Sequence, residues 1–280
     1  MEDNATHLYL HSPEATRWMD TAELRANFHS DQLMKKPGLE LIYWEQDRTV
    51  AGSAMPAGEE VVLGGWDKIR ADYFCQRREL GILNIGAAGS VTVDGTDYPM
   101  EHLDGLYVPR GSKEIKFSSK DGKDPAKFYL LSYPAHTAHP LKHIKQGDIK
   151  PLELGSGDTC NERKLYQVFH PGTLETCQLV MGYTVIAKGS TWNTFPPHTH
   201  DRRSEVYFYY GMAPETLVIH LMGEPVETRH IVMRNEEAVF SPCWSIHAGA
   251  GTGPYSFIWG MGGENQDFTD MDGCDLANFY

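Results

Sequence analysis

The sequence predicts an all-β protein made of two antiparallel β-sandwich or barrel (jelly-roll) domains with few, short helices. Three observations carry this prediction. Helical periodicity is scarce, short apolar runs alternate with glycine, proline and Asp-Gly turn signals, and both halves of the 280-residue chain share an order of motifs. Many short strands at this spacing are typical of an antiparallel sandwich or barrel.

One short helix is expected near the N-terminus. Asp20 or Thr21 can cap the run that follows, and Leu24 and Phe28 stand four residues apart on one helix face.

The remaining elements are predicted to be strands. Asp94-Gly95 is a strong hairpin signal, and Pro109 and Pro242 begin the turns that end two strands. The predicted strands occupy residues 81–84, 90–93, 106–108 and 114–117 in the first half, and 206–210, 217–222, 229–233, 238–240 and 256–259 in the second.

A weak internal repeat favours duplication of one domain. Arg77-Arg78-Glu79 precedes a strand in the first half, and Arg202-Arg203-Ser204-Glu205 precedes one in the second. In each half a strand that ends in a proline turn follows about 30–37 residues later. The expected seam is a polar, glycine-containing segment at residues 142–158. We therefore expect domains at residues 1–150 and 151–280.

Composition limits the partners and the compartment. The chain has 25 Lys and Arg against 38 Asp and Glu, a net charge of −13. This acidity argues against nucleic acid or an anionic membrane as a partner, because both reward a basic patch. No apolar run approaches the ~20 residues of a membrane span, and residues 1–4 show no signal-peptide core. Five cysteines without a CxxC motif favour reduced thiols and a cytoplasmic protein.

The strongest chemical signal is a set of metal-ligand types. His198 and His200 stand at i and i+2, which on a strand places them on one face. A turn after His200 would set Glu205 opposite them, and His247, after a proline turn, could close the site from a distant strand. Three imidazoles and one carboxylate suit a divalent ion such as Zn²⁺, Mn²⁺, Fe²⁺ or Ni²⁺. With neutral histidines the loaded site carries a net charge of +1, which can stabilise an enolate oxygen.

This arrangement resembles the cupin superfamily, in which an HxH motif with a following Glu precedes a proline turn and a late His. The first half keeps Glu79 and Pro109 but lacks the HxH, and Glu114 stands where the late His would fall. The resemblance therefore implies a bicupin, with a metal-free first domain and one metal in the second.

A closer resemblance is to the 5-keto-4-deoxyuronate isomerase family, also called 4-deoxy-L-threo-5-hexosulose-uronate ketol-isomerase, over about residues 20–272. It rests on residues 77–81, 134–137, 174–179, 202–203, 205–209, 227–233, 245–247, 257–261 and Gly263-Glu264-Asn265-Gln266. The resemblance implies one Zn²⁺ per chain on His198, His200, Glu205 and His247, and a homohexamer. It also implies interconversion of 5-dehydro-4-deoxy-D-glucuronate and 3-deoxy-D-glycero-2,5-hexodiulosonate in pectin and uronate degradation.

Three kinds of side chain could contact such a substrate. Tyrosines two and four residues after Glu205 share its face of the strand, arginines could bind the carboxylate, and tryptophans could stack on a sugar. Core packing or a solvated position is the alternative for each. The candidates are Tyr207, Tyr209, Arg202, Arg203, Arg229, Trp192 and Trp244. The catalytic base is not identifiable from sequence.

Two other functions stay open at this point. A mononuclear iron oxygenase of the pirin or quercetinase kind would use a similar ligand set, and a non-catalytic sugar-binding cupin could hold a structural metal. No GxGxxG or GxxxxGK[ST] motif is present, so no nucleotide cofactor is expected. For an isomerase we expect metal-assisted proton transfer through an enediolate, with hydride shift as the alternative.

Overall fold

The computed structural model describes residues 6–264, 266–267 and 269–280. Residues 1–4, considered above for a signal peptide, and Asn265 of the resemblance lie outside the described residues. The predicted all-β class is confirmed, since the described residues form 24 strands and only two α-helices. No helix among the described residues combines the length and the apolar character needed to cross a bilayer.

The elements are numbered in chain order. The helices are α1 Pro13–Thr16 and α2 Thr21–Phe28, with 3₁₀ turns at Gln46–Arg48, Asp67–Ile69, Phe74–Gln76, Gln146–Asp148, Gly157–Thr159 and Leu276–Asn278. The strands of the first half are β1 Thr6–Leu8, β2 His29–Ser30, β3 Gly38–Trp44, β4 Thr49–Met55, β5 Val61–Val62, β6 Arg78–Asn84, β7 Gly89–Val93, β8 Thr96–Met100, β9 Gly105–Val108, β10 Ile115–Ser119, β11 Phe128–Pro134 and β12 Lys142–Ile144. Those of the second half are β13 Leu152–Leu154, β14 Arg163–Phe169, β15 Val180–Ile186, β16 Trp192–Asn193, β17 His198–Thr199, β18 Arg203–Tyr210, β19 Val218–Glu224, β20 Glu227–Met233, β21 Glu237–Ser241, β22 Ala248–Gly251, β23 Ser256–Gly263 and β24 Asp272–Gly273.

The chain divides into two compact units of interleaved segments. The first unit contains Met1–Leu8, Gln32–Lys150 and Val168–Val180, and the second contains Tyr9–Asp31, Pro151–Gln167 and Met181–Tyr280. The chain passes from the first unit to the second between Lys150 and Pro151, which is the boundary expected from the sequence. Two segments depart from the expected division into residues 1–150 and 151–280. Tyr9–Asp31 belongs to the second unit, and Val168–Val180 belongs to the first.

The first unit is a two-sheet sandwich. Its sheets have the strand orders β1-β3-β4-β11-β6-β9-β12 and β5-β10-β7-β8, with antiparallel pairing throughout except for β1 and β3. Residues from both sheets, such as Val91, Phe117, Phe128 and Leu130, form one buried apolar cluster. The hairpin between β7 and β8 turns at Asp94 and Gly95, both with positive φ, as type I′ turns require.

The second unit repeats this plan. Its main sheets have the orders β13-β14-β15-β23-β18-β21-β2 and β16-β22-β19-β20, and β17 pairs with β24 in a small third sheet. From β3 and β14 onward, the two long sheets correspond strand by strand, which places Glu79 on β6 and Glu205 on β18 at matching positions. Strand β18 lies between β21 and β23, with Glu205 opposite Ser241 and Met261.

The predicted N-terminal helix is α2. Asp20 caps it, with its Oδ1 accepting from the backbone N of Glu23 at 2.9 Å, and the backbone N of Asp20 donates to Glu23 Oε2 at 2.8 Å. Leu24 and Phe28 are buried as expected. The chain then continues into β2, which pairs with β21.

Candidate metal centre

Neighbouring elements of the second unit bring the four candidate ligands together. His198 lies on β17, His200 follows it, Glu205 lies on the buried central strand β18, and His247 directly precedes β22. The shared face that the spacing of His198 and His200 predicts is observed, because their Nε2 atoms are 3.2 Å apart.

The ligand atoms converge on one point. His247 Nε2 lies 3.2 Å from His198 Nε2 and 2.8 Å from Glu205 Oε2, and Glu205 Oε2 lies 3.7 Å from His200 Nε2. Among the described residues, the three histidines are the one group of His, Cys, Asp or Glu that could hold a metal ion by the distances between its ligand atoms. Three imidazole nitrogens and a carboxylate oxygen at such separations fit the donor set of a borderline divalent cation.

The electrostatics favour the ligating protonation states. Burial, with His247 and His200 as further causes, lowers the pKa of His198 to about 3, so its ring is neutral at pH 7. Burial alone would raise the pKa of Glu205, but His247 and His200 lower it below its ordinary value. Neutral imidazoles and an ionised carboxylate are the forms that bind metal.

Backbone carbonyls orient two of the rings. His200 Nδ1 contacts the carbonyl oxygen of Asp270, and His247 Nδ1 lies 3.4 Å from the Ser245 carbonyl. Donation from Nδ1 leaves the Nε2 lone pair for a metal, which is how outer hydrogen bonds set the tautomer of metal-binding histidines.

The centre opens into a cavity of about 170 Å³ within the second unit. Three of the four candidate ligands line it, and the other lining side chains divide into a polar and an apolar group. The polar group is Arg163, Thr184, Thr194 and Tyr207, and the apolar group is Leu154, Leu165, Phe257, Trp259, Met261 and Met271. An apolar cavity with a few convergent polar groups is the usual form of a small-molecule site.

Tyr207 and Tyr209 differ in their surroundings. The Tyr207 hydroxyl lies 2.9 Å from Thr194 Oγ1 at the cavity, and burial raises the pKa of Tyr207 well above its ordinary value. The Tyr209 hydroxyl instead lies 2.8 Å from His220 Nδ1, and Tyr209 does not line the cavity. Its place is the core, because two residues along β18 carry it about 7 Å further.

The structure does not bring the predicted arginines to the cavity. Arg203 is buried and donates to the Asp270 carbonyl at 3.1 Å. Arg229 donates to the backbone carbonyls of Arg17 and Met19. Arg202 pairs with Glu264 at 3.0 Å, and both side chains are exposed.

The predicted tryptophans also lie elsewhere in the second unit. The Trp192 ring packs on Phe195 with centroids 4.6 Å apart. The indole nitrogen of Trp244 donates to the His11 carbonyl at 3.2 Å. Neither ring lines the cavity.

Arg163, at the start of β14, is the cavity cation that sequence reasoning missed. Its Nη1 donates to the Asn161 carbonyl at 2.8 Å, and burial lowers the pKa of Arg163. No motif marks it. Only correct prediction of β14, whose alternation places Arg163 and Leu165 on one face, would have drawn attention to it.

In the first unit, Glu79 corresponds to Glu205 but accepts hydrogen bonds on both of its oxygens. Glu79 Oε1 accepts from the backbone N of Gln178 at 2.7 Å and of Leu179 at 2.8 Å. Its Oε2 accepts from the Tyr107 hydroxyl at 2.8 Å and the Cys177 N at 2.7 Å. Four donors thus occupy both oxygens, so Glu79 has a structural role within its unit.

Comparison with known proteins gives likeness along nearly the whole chain. The KduI/IolB family matches residues 38–276. The 4-deoxy-L-threo-5-hexosulose-uronate ketol-isomerase of Lachnoclostridium phytofermentans is 52% identical over 267 residues, which cover 95% of this chain and 97% of that protein. The protein of the same name from Escherichia coli SE11 is 49% identical over 265 residues, or 94% and 95% of the two chains.

Solved structures share the fold at low identity. An IolB-like protein from Salmonella typhimurium LT2 superimposes with a TM-score of 0.73 at 17% identity, covering 89% of this chain and 97% of the other. The oxalate decarboxylase of Lactobacillus farciminis gives a TM-score of 0.53 at 12% identity, covering 81% and 78%. At such identities the likeness concerns the fold alone.

Proposed function

The chain belongs to the KduI/IolB family, as the sequence resemblance predicts, and we propose that it is a zinc-dependent ketol-isomerase. Near-full-length relatives about half identical to it are ketol-isomerases, so the chain is an enzyme of the aldose–ketose isomerase class. The proposed reaction interconverts 5-dehydro-4-deoxy-D-glucuronate and 3-deoxy-D-glycero-2,5-hexodiulosonate.

The observation that carries the proposal is the pairing of two features in one cavity. The His198, His200, Glu205 and His247 cluster offers a divalent-cation site, and Arg163 offers a guanidinium. The proposed substrate carries an aldehyde and a hydroxyl on adjacent carbons at one end and a carboxylate at the other. A cation site and a guanidinium in one cavity match those two ends.

When bound, a divalent ion supplies Lewis-acid polarisation of a carbonyl oxygen. The side chains of His198, His200, Glu205 and His247 would hold that ion, with Glu205 ionised and His198 neutral. Arg163 is proposed to bind the substrate carboxylate and so fix which end of the molecule faces the histidines.

The reaction itself moves hydrogen without net redox change. The hydrogen on C2 passes to C1 and the O2 proton passes to O1, so the C1 aldehyde becomes an alcohol and C2 becomes a ketone. Tyr207, kept protonated by burial, can donate a hydrogen bond to a developing oxyanion but is not a base at pH 7. The apolar lining excludes water around the reacting carbons.

We further propose that the metal is zinc, that the first domain holds no metal and that the protein is a hexamer. Zinc suits the donor set and isomerisation, because Zn²⁺ has no accessible redox change. The domain without a metal is the first, where Glu79 is saturated by other donors. A homohexamer in the cytoplasm follows from the family resemblance, and the five free cysteines agree with a reducing compartment.

The function is tested by adding purified protein to products of an unsaturated-uronate lyase and following ketose formation by NMR, with and without a chelator. We expect conversion under anaerobic conditions, loss on chelation and recovery with zinc. Strict dependence on oxygen would instead support the iron oxygenase, and binding without conversion would support a sugar-binding protein.

A further inference from the structure

A second, larger cavity lies wholly within the first unit and has a basic wall. Its volume is about 290 Å³. Five cationic side chains line it and no carboxylate does, although the chain has a net charge of −13. The five are Arg48, Lys68, Arg70, Arg77 and Arg78.

Arg78 is the buried member, with only 5% of its surface exposed. Its Nε donates to Ser132 Oγ at 3.1 Å, and its Nη2 donates to the carbonyls of Ser132 and Arg48 at 2.8 and 2.6 Å. Among the described residues its Nη1 has no hydrogen-bond partner and no carboxylate forms an ion pair with it. A buried charge is normally paired. The Nη1 edge of Arg78 departs from this rule and offers an unused hydrogen-bond donor at the cavity.

The backbone at the cavity is in an uncommon conformation at two of the five positions. Arg48 and Arg70 both have left-handed backbones, with φ of 52° and 48°. Non-glycine residues hold such φ values only where the surrounding structure imposes them, and they concentrate at functional sites. Both side chains are exposed and make no side-chain hydrogen bond among the described residues.

The other two cations are held in place by their neighbours. Arg77 Nη2 donates to the carbonyls of Ile69 and Arg70, which ties it to the segment that carries Arg70. Lys68 Nζ lies 2.6 Å from His7 Nδ1 and 5.8 Å from the Tyr43 ring centroid. Three of the five cations, Lys68, Arg77 and Arg78, are therefore positioned before any ligand arrives, which reduces the entropy lost on binding.

We propose that this cavity binds a small molecule carrying a phosphate group. Arginine forks bind phosphate oxygens bidentately, and a phosphate monoester carries about two negative charges at pH 7. A single carboxylate would offset less of the charge on five cations. The site is separate from the metal cavity and does not depend on the proposed isomerase activity.

The test is calorimetric titration of the full-length protein with inorganic phosphate at constant ionic strength, with acetate and citrate as comparison anions. We expect saturable binding of phosphate, at least tenfold tighter than that of acetate, which carries a single negative charge. The R48Q/R70Q double variant, which changes two exposed side chains, should weaken it at least tenfold. Lys120→Gln, an exposed cation of the same unit outside the cavity, should bind like the wild type.

The His198→Ala variant separates this site from phosphate bound at the metal. Phosphate affinity that survives this change but falls in R48Q/R70Q supports the proposal. No saturable binding, equal affinity in R48Q/R70Q and wild type, or loss in His198→Ala would each overturn it. Citrate or acetate binding tighter than phosphate would overturn the phosphate assignment.

Discussion

Arg163 is the residue on which substrate orientation depends in the proposed reaction. We predict that Arg163→Gln raises KM about tenfold to a hundredfold, because a hydrogen bond to a charged group contributes about 1.5–3 kcal/mol. Metal content should be unchanged, since Arg163 is not among the clustered ligands. Steady-state kinetics beside metal analysis measure both quantities.

The matched control for Arg163 is Arg202→Gln. Arg202 pairs with Glu264 on the surface and should leave KM within twofold of the wild type. An Arg163→Gln enzyme with an unaltered KM would remove Arg163 from the substrate site.

Buried histidines make the stability of the metal-free protein depend on pH. Burial, then His247, lowers the pKa of His220 to about 3, whereas an unfolded histidine has a pKa near 6.5. Between these values the unfolded state binds more protons, so stability is lost as the pH falls. We predict that metal-stripped protein loses up to about 1.4 kcal/mol per pH unit for each such histidine below pH 6.

Urea unfolding of the chelated protein at pH 7 and pH 5 measures this loss. His220→Gln should flatten the pH dependence, because its buried ring then no longer titrates. The same slope in wild type and variant would show that His220 does not contribute.

At the scale of single residues, the clustering of the four ligand candidates was more predictable than the lining of the cavity beside them. His198 and His200 stand two apart, and strand alternation puts them on one face whatever the rest of the fold. Arg203 carried no comparable local signal, since its distance from the cavity depends on the strands that pack around it. Tyr209 shares the face of Glu205 but lies too far along β18.

At the scale of secondary-structure elements, Glu79 on strand β6 is predicted to stabilise the first unit. Glu79→Gln replaces one carboxylate oxygen with an NH2 group, which cannot accept a hydrogen bond, so at least one buried N–H or O–H donor loses its partner. We predict destabilisation by about 1–3 kcal/mol with metal content still near one per chain. Denaturant unfolding and metal analysis of the variant measure the two outcomes.

Glu114→Gln is the control. Among the described residues, the side chain of Glu114 pairs only with Lys116, near the surface, so the change should cost less than about 1 kcal/mol. A wild type with two metals per chain, one of them lost in Glu79→Gln, would contradict a metal-free first domain.

Local signals located the elements whose structure is local. The Asp94-Gly95 hairpin and the Asp20 cap of α2 were predictable because turn and cap chemistry act over four residues. The pairing of β2 with β21 was not, since it joins residues more than 200 positions apart. Helix α1, only four residues long, is too short for periodicity to show.

For the whole molecule, the long sheets of the two units share one strand order, as the repeated order of an arginine pair, a glutamate and a proline turn suggests. The interleaving of their segments could not be predicted, because composition changes only at the polar seam near residue 150.

The oligomeric state is also a property of the whole molecule. We predict a hexamer of about 189 kDa, six times the 31.5 kDa chain, and light scattering at the monomer mass would contradict it.

In the proposed enzyme, one metal held by His198, His200, Glu205 and His247 is required for isomerisation. The most direct measurement is turnover of metal-stripped enzyme during stepwise addition of zinc, with bound metal determined at each step. We expect activity to rise linearly and to stop rising at one equivalent of zinc per chain, and we expect His198→Ala to show neither binding nor activity. Full activity before zinc is added, with no metal bound, would contradict it.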